Sequence, residues 1–417
     1  MSFPSTISPM PGYGASYWAE RTAESRRRSY PKLKGPHTAD VVVIGGGLTG
    51  AATAYSLAAG GLNVILVEAD RIAGGSTAGS LGAILPEPDA MYRPSEQAAG
   101  KFAARSAFHE AQKGAGDLAR VLGKLKIKCD LEPAPYFVHA ATPEQLEAAK
   151  KDQAIRRAGG VPVTWSTPQV VRSETALETL GGLKMTPGFV YDPVRAALGF
   201  ASAAEAAGAK VFEHSTVRKT IFTRKYADVL LTDATIRTTG IVVATGEPGT
   251  VFGQLRRHVR RASGFVVVTE PLPAAMRRET GTRTAIVTEA TANGRSWLRW
   301  LPDGRAMFGG AVTPAPPSRL IDRMRVQKTA QLMYELSVRY PVISGLPARW
   351  GWETEVVTTM DGLPWIGPHR NYPFHFFAMG FGWHGDSLAW AAARAALRHF
   401  KGDATRSDAA LGFARYL

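Results

Sequence analysis

Residues 39–50 read Ala-Asp-Val-Val-Val-Ile-Gly-Gly-Gly-Leu-Thr-Gly, and beyond a run of small residues the chain continues Asn63-Val-Ile-Leu-Val-Glu68. A buried β-branched run, glycines at 45, 47 and 50, and an acid about 20 residues on form the fingerprint of a dinucleotide-binding βαβ unit. Gly45 allows a tight turn out of the strand, Gly47 lets backbone N–H groups approach a pyrophosphate, and Gly50 lets helix pack closely on strand. The helix start turns its partial positive charge toward the phosphates. Glu68, at the end of the second strand, is placed to accept hydrogen bonds from both ribose hydroxyls, which disfavours a 2′-phosphate. The motif leaves NAD and FAD as alternatives.

The 417 residues, 45% of them hydrophobic, suffice for two or three domains with an ample core and exclude disordered and fibrous classes. No apolar run reaches about 18 residues, and Met1–Thr6 lacks a basic segment followed by an apolar core, so a cytoplasmic protein without a membrane span is expected. The single cysteine, Cys129, permits no intrachain disulfide and no cysteine metal site; no metal is expected. Net charge is +15. The basic runs, Arg26–Arg28 and Arg256–Arg261, lack interleaved aromatics and read as solvated surface, so no nucleic-acid partner is expected.

Residues 1–37 read as an extended arm in which Tyr17-Trp18 supplies an aromatic anchor. Gly74–Gly82 is too small and glycine-dense for a packed element and reads as a loop that brings backbone close to a ligand. A long helix is expected over about 95–126 and another after Thr142, the N-cap, with Pro143 at the first helical position. Further strands are expected over Lys126–His139, Gly188–Pro193, Lys210–Val217, Tyr226–Leu231, Thr235–Ala244 and Gly264–Glu270. Ser296–Trp300 and Ala306–Gly310 read as a pair joined at Pro302-Asp303-Gly304. Helices are expected over 194–208, 319–340 and the segment ending at Lys401.

Taken in order, the fingerprint with Glu68, the Ser/Gly loop at 75–82, Tyr191-Asp-Pro-Val-Arg, Val217, Ala244-Thr-Gly, Leu301-Pro-Asp-Gly-Arg, Asp361-Gly-Leu-Pro and Gly380-Phe-Gly-Trp-His-Gly resemble the D-amino-acid-oxidase-like (DAO) family of FAD-dependent oxidoreductases. Sarcosine, glycine and γ-glutamylputrescine oxidases belong to it, and the Tyr17-Trp18 arm is similar to the opening of the last branch. The resemblance implies an α/β fold: a Rossmann-like FAD-binding domain and a second, discontinuous substrate domain built on a mixed or antiparallel sheet covered by helices. The corresponding boundaries are 1–37 for the arm, 38–92, 183–262 and 350–417 for the FAD domain, and 93–182 with 263–349 for the substrate domain.

It also implies roles. Gly45, Gly47, Leu48, Thr49 and Gly50 would hold the pyrophosphate, with Glu68 and Ala69 at the ribose. Val217 would hold the adenine through its backbone, and Ala244, Thr245 and Gly246 would close the dinucleotide site. Ser76, Thr77, Gly79 and Ser80 would run past the flavin. Gly382, Trp383, His384 and Gly385 would offer N–H groups at a helix start to the pyrimidine edge, where a reduced flavin carries negative charge.

Relatives oxidise a C–N bond by hydride transfer to the flavin, leaving an imine that water hydrolyses, so the protein's task is placement. Candidates for placing substrate are His384, Trp300, Trp383 and Arg299: the histidine in the flavin-edge loop, the tryptophans as an aromatic box for an amine, the arginine as a carboxylate partner. Positions 353–360 hold no arginine where amino-acid-specific relatives carry one, while Glu353 and Glu355 offer acids to an amine. No histidine lies in 71–82 and Cys129 is mid-chain, so a non-covalent, dissociable FAD is expected. Residues 247–262 contain no lysine of the kind oxygen-using relatives carry, which leaves O2 or another carrier as electron acceptor. A flavin-dependent tRNA-modifying enzyme and a non-catalytic FAD-holding subunit are the alternatives.

Overall fold

The valine-rich run of the fingerprint forms the end of the strand Gly35–Ile44, which pairs in parallel with Val64–Val67 on one side and Ala234–Gly246 on the other. Residues 41–44 and 64–67 are all buried, as expected of parallel strands covered on both faces. The structure, a computed structural model, describes residues 13–22, 27–280, 285–291 and 294–416. Lys210–Phe212 adds a parallel edge beyond Val64–Val67, Tyr372–Met379 pairs in parallel with the C-terminal half of Ala234–Gly246, and an antiparallel ribbon of Ala227–Leu231 and Val217–Phe222 completes the other side. The helix Leu48–Ala59 packs against Pro193–Ala206 and Asp386–Lys401. Buried residues of the three are mostly alanines. Small side chains let three backbones crowd over one sheet.

A second sheet runs in the order 348–359, 259–269, 306–314, 294–300, 286–291, 136–139, 182–185, 164–166. It is antiparallel except where Ile286–Glu289 lies parallel to Tyr136–His139, so it is mixed. The helix Ile321–Arg339 covers one face, its Leu332 and Leu336 packing with Phe265, Val267, Leu298 and Phe308. The opposite face joins the core of the first sheet through Val266, Val268, Trp297 and Met307. A single ladder joins Val259–Thr269 to Ala348–Thr359, from Val259 opposite Thr359 to Val268 opposite Trp350. Residues 182–185, 259–262 and 348–359 thus lie in the second sheet, although the boundaries read from sequence place nearly all of them with the first.

Three other expectations are refined. The long helix is two, Tyr92–Ala99 and Lys101–Lys124, broken at Gly100, whose φ of +85° no helix accommodates. The strand expected over Lys210–Val217 stops at Phe212, because buried Glu213 turns to accept the backbone N–H groups of Tyr30 and Ile72. The arm is not wholly extended: Ser16 caps a short helix, Tyr17–Arg21, and residues 35–37 already belong to the first strand. Thr142 caps Pro143–Ala158 with Gln145 in a reciprocal box, as expected. Arg26 lies outside the described residues; Arg28 pairs with Glu205, and Arg261 with Glu247 and Glu355.

Candidate functional site

The turn after Ile44 is fixed by what it cannot accommodate. Gly45 has a φ of +106°, and a Cβ there would lie 2.6 Å from the Ala244 carbonyl oxygen. A Cβ on Gly50 would sit 1.8 Å from the Gly45 carbonyl oxygen, so the helix can close onto the turn only with glycine at that position. Glu68 reaches back over the turn: one carboxylate oxygen accepts the Gly46 N–H at 2.5 Å and the other the Asp70 N–H at 2.9 Å. Thr77 accepts the Leu48 N–H at 2.9 Å, tying the Gly75–Ser80 segment to the helix start.

From this turn a single cleft of about 460 Å³ runs to the start of the C-terminal helix. Gly45, Gly47, Leu48 and Thr49 line it with Glu68 and Ala69, as do Ser76, Thr77 and Ser80, then Val217, then Ala244, Thr245 and Gly246. Gly382, Trp383, Gly385 and Asp386 stand at the far end. Residues separated by up to some 340 positions in sequence therefore share one wall. Gly50 and Gly79 stand behind that wall, where they permit close packing: a Cβ on Gly79 would lie 2.1 Å from the Thr354 hydroxyl.

The far end is built by contact between the sheets. A Cβ on Gly264 or Gly309, on neighbouring strands of the second sheet, would meet the Trp383 ring at 2.6 and 3.3 Å, so these glycines make the slot in which the ring lies. The Trp383 backbone N–H donates to Asp89 at 3.1 Å, while its indole N–H is buried with no partner among the described residues. Asp386 opens the helix Asp386–Lys401, in reach of the Ser80 hydroxyl at 3.2 Å. Burial raises its carboxyl to about 6, against the pull of the Tyr191 and Ser80 hydroxyls. Glu355 lines the cleft and pairs with Arg261, whereas Glu353 takes the Ser263 hydroxyl at 2.6 Å.

Of the four residues expected to touch substrate, three do not line this cleft. His384 is buried behind the cleft, its ring 3.7 Å from that of Trp297 and 5.9 Å from that of Trp383. Burial, reinforced by Arg295, lowers its pKa to about 3, so it is neutral at ordinary pH. Trp300 faces the helix-covered side of the second sheet, edge-on to Tyr340, because residues three positions apart on a strand point to opposite faces and Trp297 points toward the first sheet. Arg299 shares the face of Trp297 but is spent inside the protein: one guanidinium nitrogen donates to the carbonyls of Leu81, Gly82 and Tyr191. Desolvation lowers its pKa to about 10. Only Trp383 reaches the cleft.

Sequence reasoning missed Asp386, Asp89, Phe381 and the segment 247–252 of the cleft wall. Asp386 alone carried a signal, as an acid on the first turn of a helix that follows a glycine-rich loop. Among the described residues no group of acids, histidines or cysteines is arranged to hold a metal ion, and no helix is long and apolar enough to cross a membrane.

Comparison with known proteins agrees with this architecture. The family model for DAO, the FAD-dependent oxidoreductases, matches residues 40–398. The chain is similar to gamma-glutamylputrescine oxidoreductase of Escherichia coli, 24% identical over 419 residues that span 98% of this chain and 93% of that protein. Its fold is similar to that of glycine oxidase from Geobacillus kaustophilus, with a TM-score of 0.73, 19% identity, and 89% and 96% of the two chains covered. L-amino acid deaminase from Proteus myxofaciens gives a TM-score of 0.74 at 16% identity, covering 94% and 96%. With the match running from the glycine turn into the C-terminal helix that bounds the cleft, the chain belongs to the DAO family of FAD-dependent oxidoreductases.

Proposed function

We propose that this chain oxidises a C–N bond of an amine or amino acid, with FAD lying along the cleft from the glycine turn to the Gly382–Asp386 loop. The observation that carries the reading is the continuity of that cleft: one cavity has a dinucleotide turn at one end and a helix start at the other. The fit is good where it is most demanding. Gly45 and Gly50 leave no room for a Cβ, Glu68 presents a carboxylate at the turn, and the helix Leu48–Ala59 has no acid in its first turn to repel a pyrophosphate.

Bound FAD supplies a two-electron acceptor for a hydride leaving the carbon next to nitrogen. The chain's own residues have to place that carbon and exclude water. Trp383 walls the cleft with an apolar ring and a free indole N–H, and Glu355, its charge shared with Arg261, offers an acid to an amine. The names of the relatives, among them gamma-glutamylputrescine oxidoreductase, glycine oxidase and L-amino acid deaminase, support a nitrogen-bearing substrate. The single, buried Cys129, with its thiol raised to about 12, suits a cytoplasmic, reducing compartment.

The test is anaerobic addition of a panel of primary amines, N-methyl amines, γ-glutamyl amines and amino acids to the FAD-loaded protein. Bleaching of the oxidised flavin by one class supports the reading and names the substrate. A flavin that dithionite reduces but no member of the panel bleaches sets it aside. Mixing the reduced protein with air-saturated buffer then separates O2 from another carrier as acceptor.

A further inference from the structure

Two buried aromatic residues of the arm, Tyr17 and Trp18, bear on the cleft from outside. Trp18 is 1% exposed, and its indole N–H donates at 2.7 Å to the carbonyl of Ser80, a residue of the cleft wall. Its ring lies over the Arg299 guanidinium, 5.4 Å from the ring centre, and that guanidinium holds the next two carbonyls, Leu81 and Gly82, together with Tyr191. Three consecutive carbonyls beside the cleft are thus held by one Trp–Arg pair. Gly82 has a φ of +64°, and a Cβ on it would meet the Tyr191 carbonyl, Arg299 and Trp18 all within 2.8 Å, so the turn is moulded to the pair.

The arm is in turn anchored to the second sheet. Tyr17 packs edge-on against Trp18 and Trp350, and Glu20 accepts the Trp350 indole N–H at 2.8 Å. Gly14 donates to the Gly351 carbonyl at 2.9 Å, and Arg21 pairs with Asp130 at 2.8 Å. On the inner side, Ser80 receives the indole through its carbonyl and offers its hydroxyl to Asp386 at the head of the C-terminal helix. A chain of contacts therefore runs from arm to turn to the helix start that closes the cleft.

We propose that residues 13–22 are a clasp for the cofactor site: Trp18, stacked on Arg299, fixes the Ser80–Gly82 turn in the conformation that receives FAD. Both are positioning residues, acting through the turn, and the inference rests on the FAD placement proposed above. The clasp contributes affinity by pre-forming the wall, so that less ordering remains to be done on binding.

Trp18→Phe keeps a ring over Arg299 while removing the N–H to Ser80, along with part of the indole's packing area. In the full-length, flavin-free protein this variant is expected to bind FAD about five- to tenfold more weakly, the scale of one buried hydrogen bond. The visible spectrum of its FAD-saturated form should also be shifted, a change that simple loss of stability would not bring. Unchanged affinity and spectrum overturn the clasp while leaving the flavin reading intact. Wild-type protein that binds no FAD overturns both. Hydrogen exchange on the wild type is independent of how the variant folds: FAD is expected to slow exchange in residues 16–21 as well as 77–82. Protection of 77–82 with 16–21 unaltered overturns the proposal.

Discussion

At the scale of single residues, the site is governed by where a carbon atom or a proton cannot go. Gly50→Ala places a methyl group on the Gly45 carbonyl, which must push helix and turn apart. The expected result is a loss of about 3 kcal/mol of stability, the upper range of overpacking, with FAD binding weakened beyond detection; urea unfolding and flavin titration measure the two. His384 is a site of proton exclusion. Its pKa falls from an ordinary 6.5 to about 3, so between those values the unfolded chain holds a proton that the folded chain refuses. Stability drawn from its neutrality is complete above pH 6.5 and drains away as pH falls toward 3. His384→Gln should flatten the acid limb of the stability curve, read as Tm against pH, whereas parallel curves for the two proteins would rule out this burial. For the same reason a kinetic pKa near 6 or 7 in this enzyme would belong to another group.

At the scale of elements, the turn at 45–50 was legible in the sequence because its chemistry is local: three glycines and an acid at fixed spacing have few other uses. The strand Gly294–Trp300 was legible as a strand but not as to its faces. Both faces of Ser296–Trp300 are buried, one against the first sheet and one under the helix Ile321–Arg339, so no alternation of polar and apolar residues marks inside from outside. That is why the sequence did not tell on which face of the sheet Arg299 and Trp300 lie. Trp300→Ala is accordingly expected to cost about 3–5 kcal/mol through the cavity it leaves under that helix, with the affinity for FAD in the surviving folded fraction unchanged. A fall in affinity without a fall in Tm would return Trp300 to the cleft. The pairing of Ala348–Thr359 with Val259–Thr269 was invisible for another reason: about 90 residues separate the two strands, and no short-range signal records such a ladder.

At the scale of the molecule, two sheets and the elements between them enclose a cleft whose wall is drawn from seven separate stretches of chain. Such a site holds its ligand by enclosure. Among the described residues Cys129 is buried and the glycine-rich loop carries no histidine, so FAD is expected to leave with the supernatant when the protein is precipitated by acid, and yellow colour retained in the washed pellet would show a covalent bond. Because a ligand that binds only the folded state stabilises it by RT ln(1 + [L]/Kd), adding FAD at about 100 times its Kd should raise stability by about 2.7 kcal/mol, visible as a higher Tm.

The placement of the arm has a consequence for how the protein is made. Glu20 meets its indole partner 330 residues further along the chain. Tyr17 and Glu20 therefore leave the ribosome early and stay without Trp350, their shared partner, until most of the chain has been made. The arm is gathered onto the second sheet only once the last strand of that sheet, Ala348–Thr359, has been synthesised.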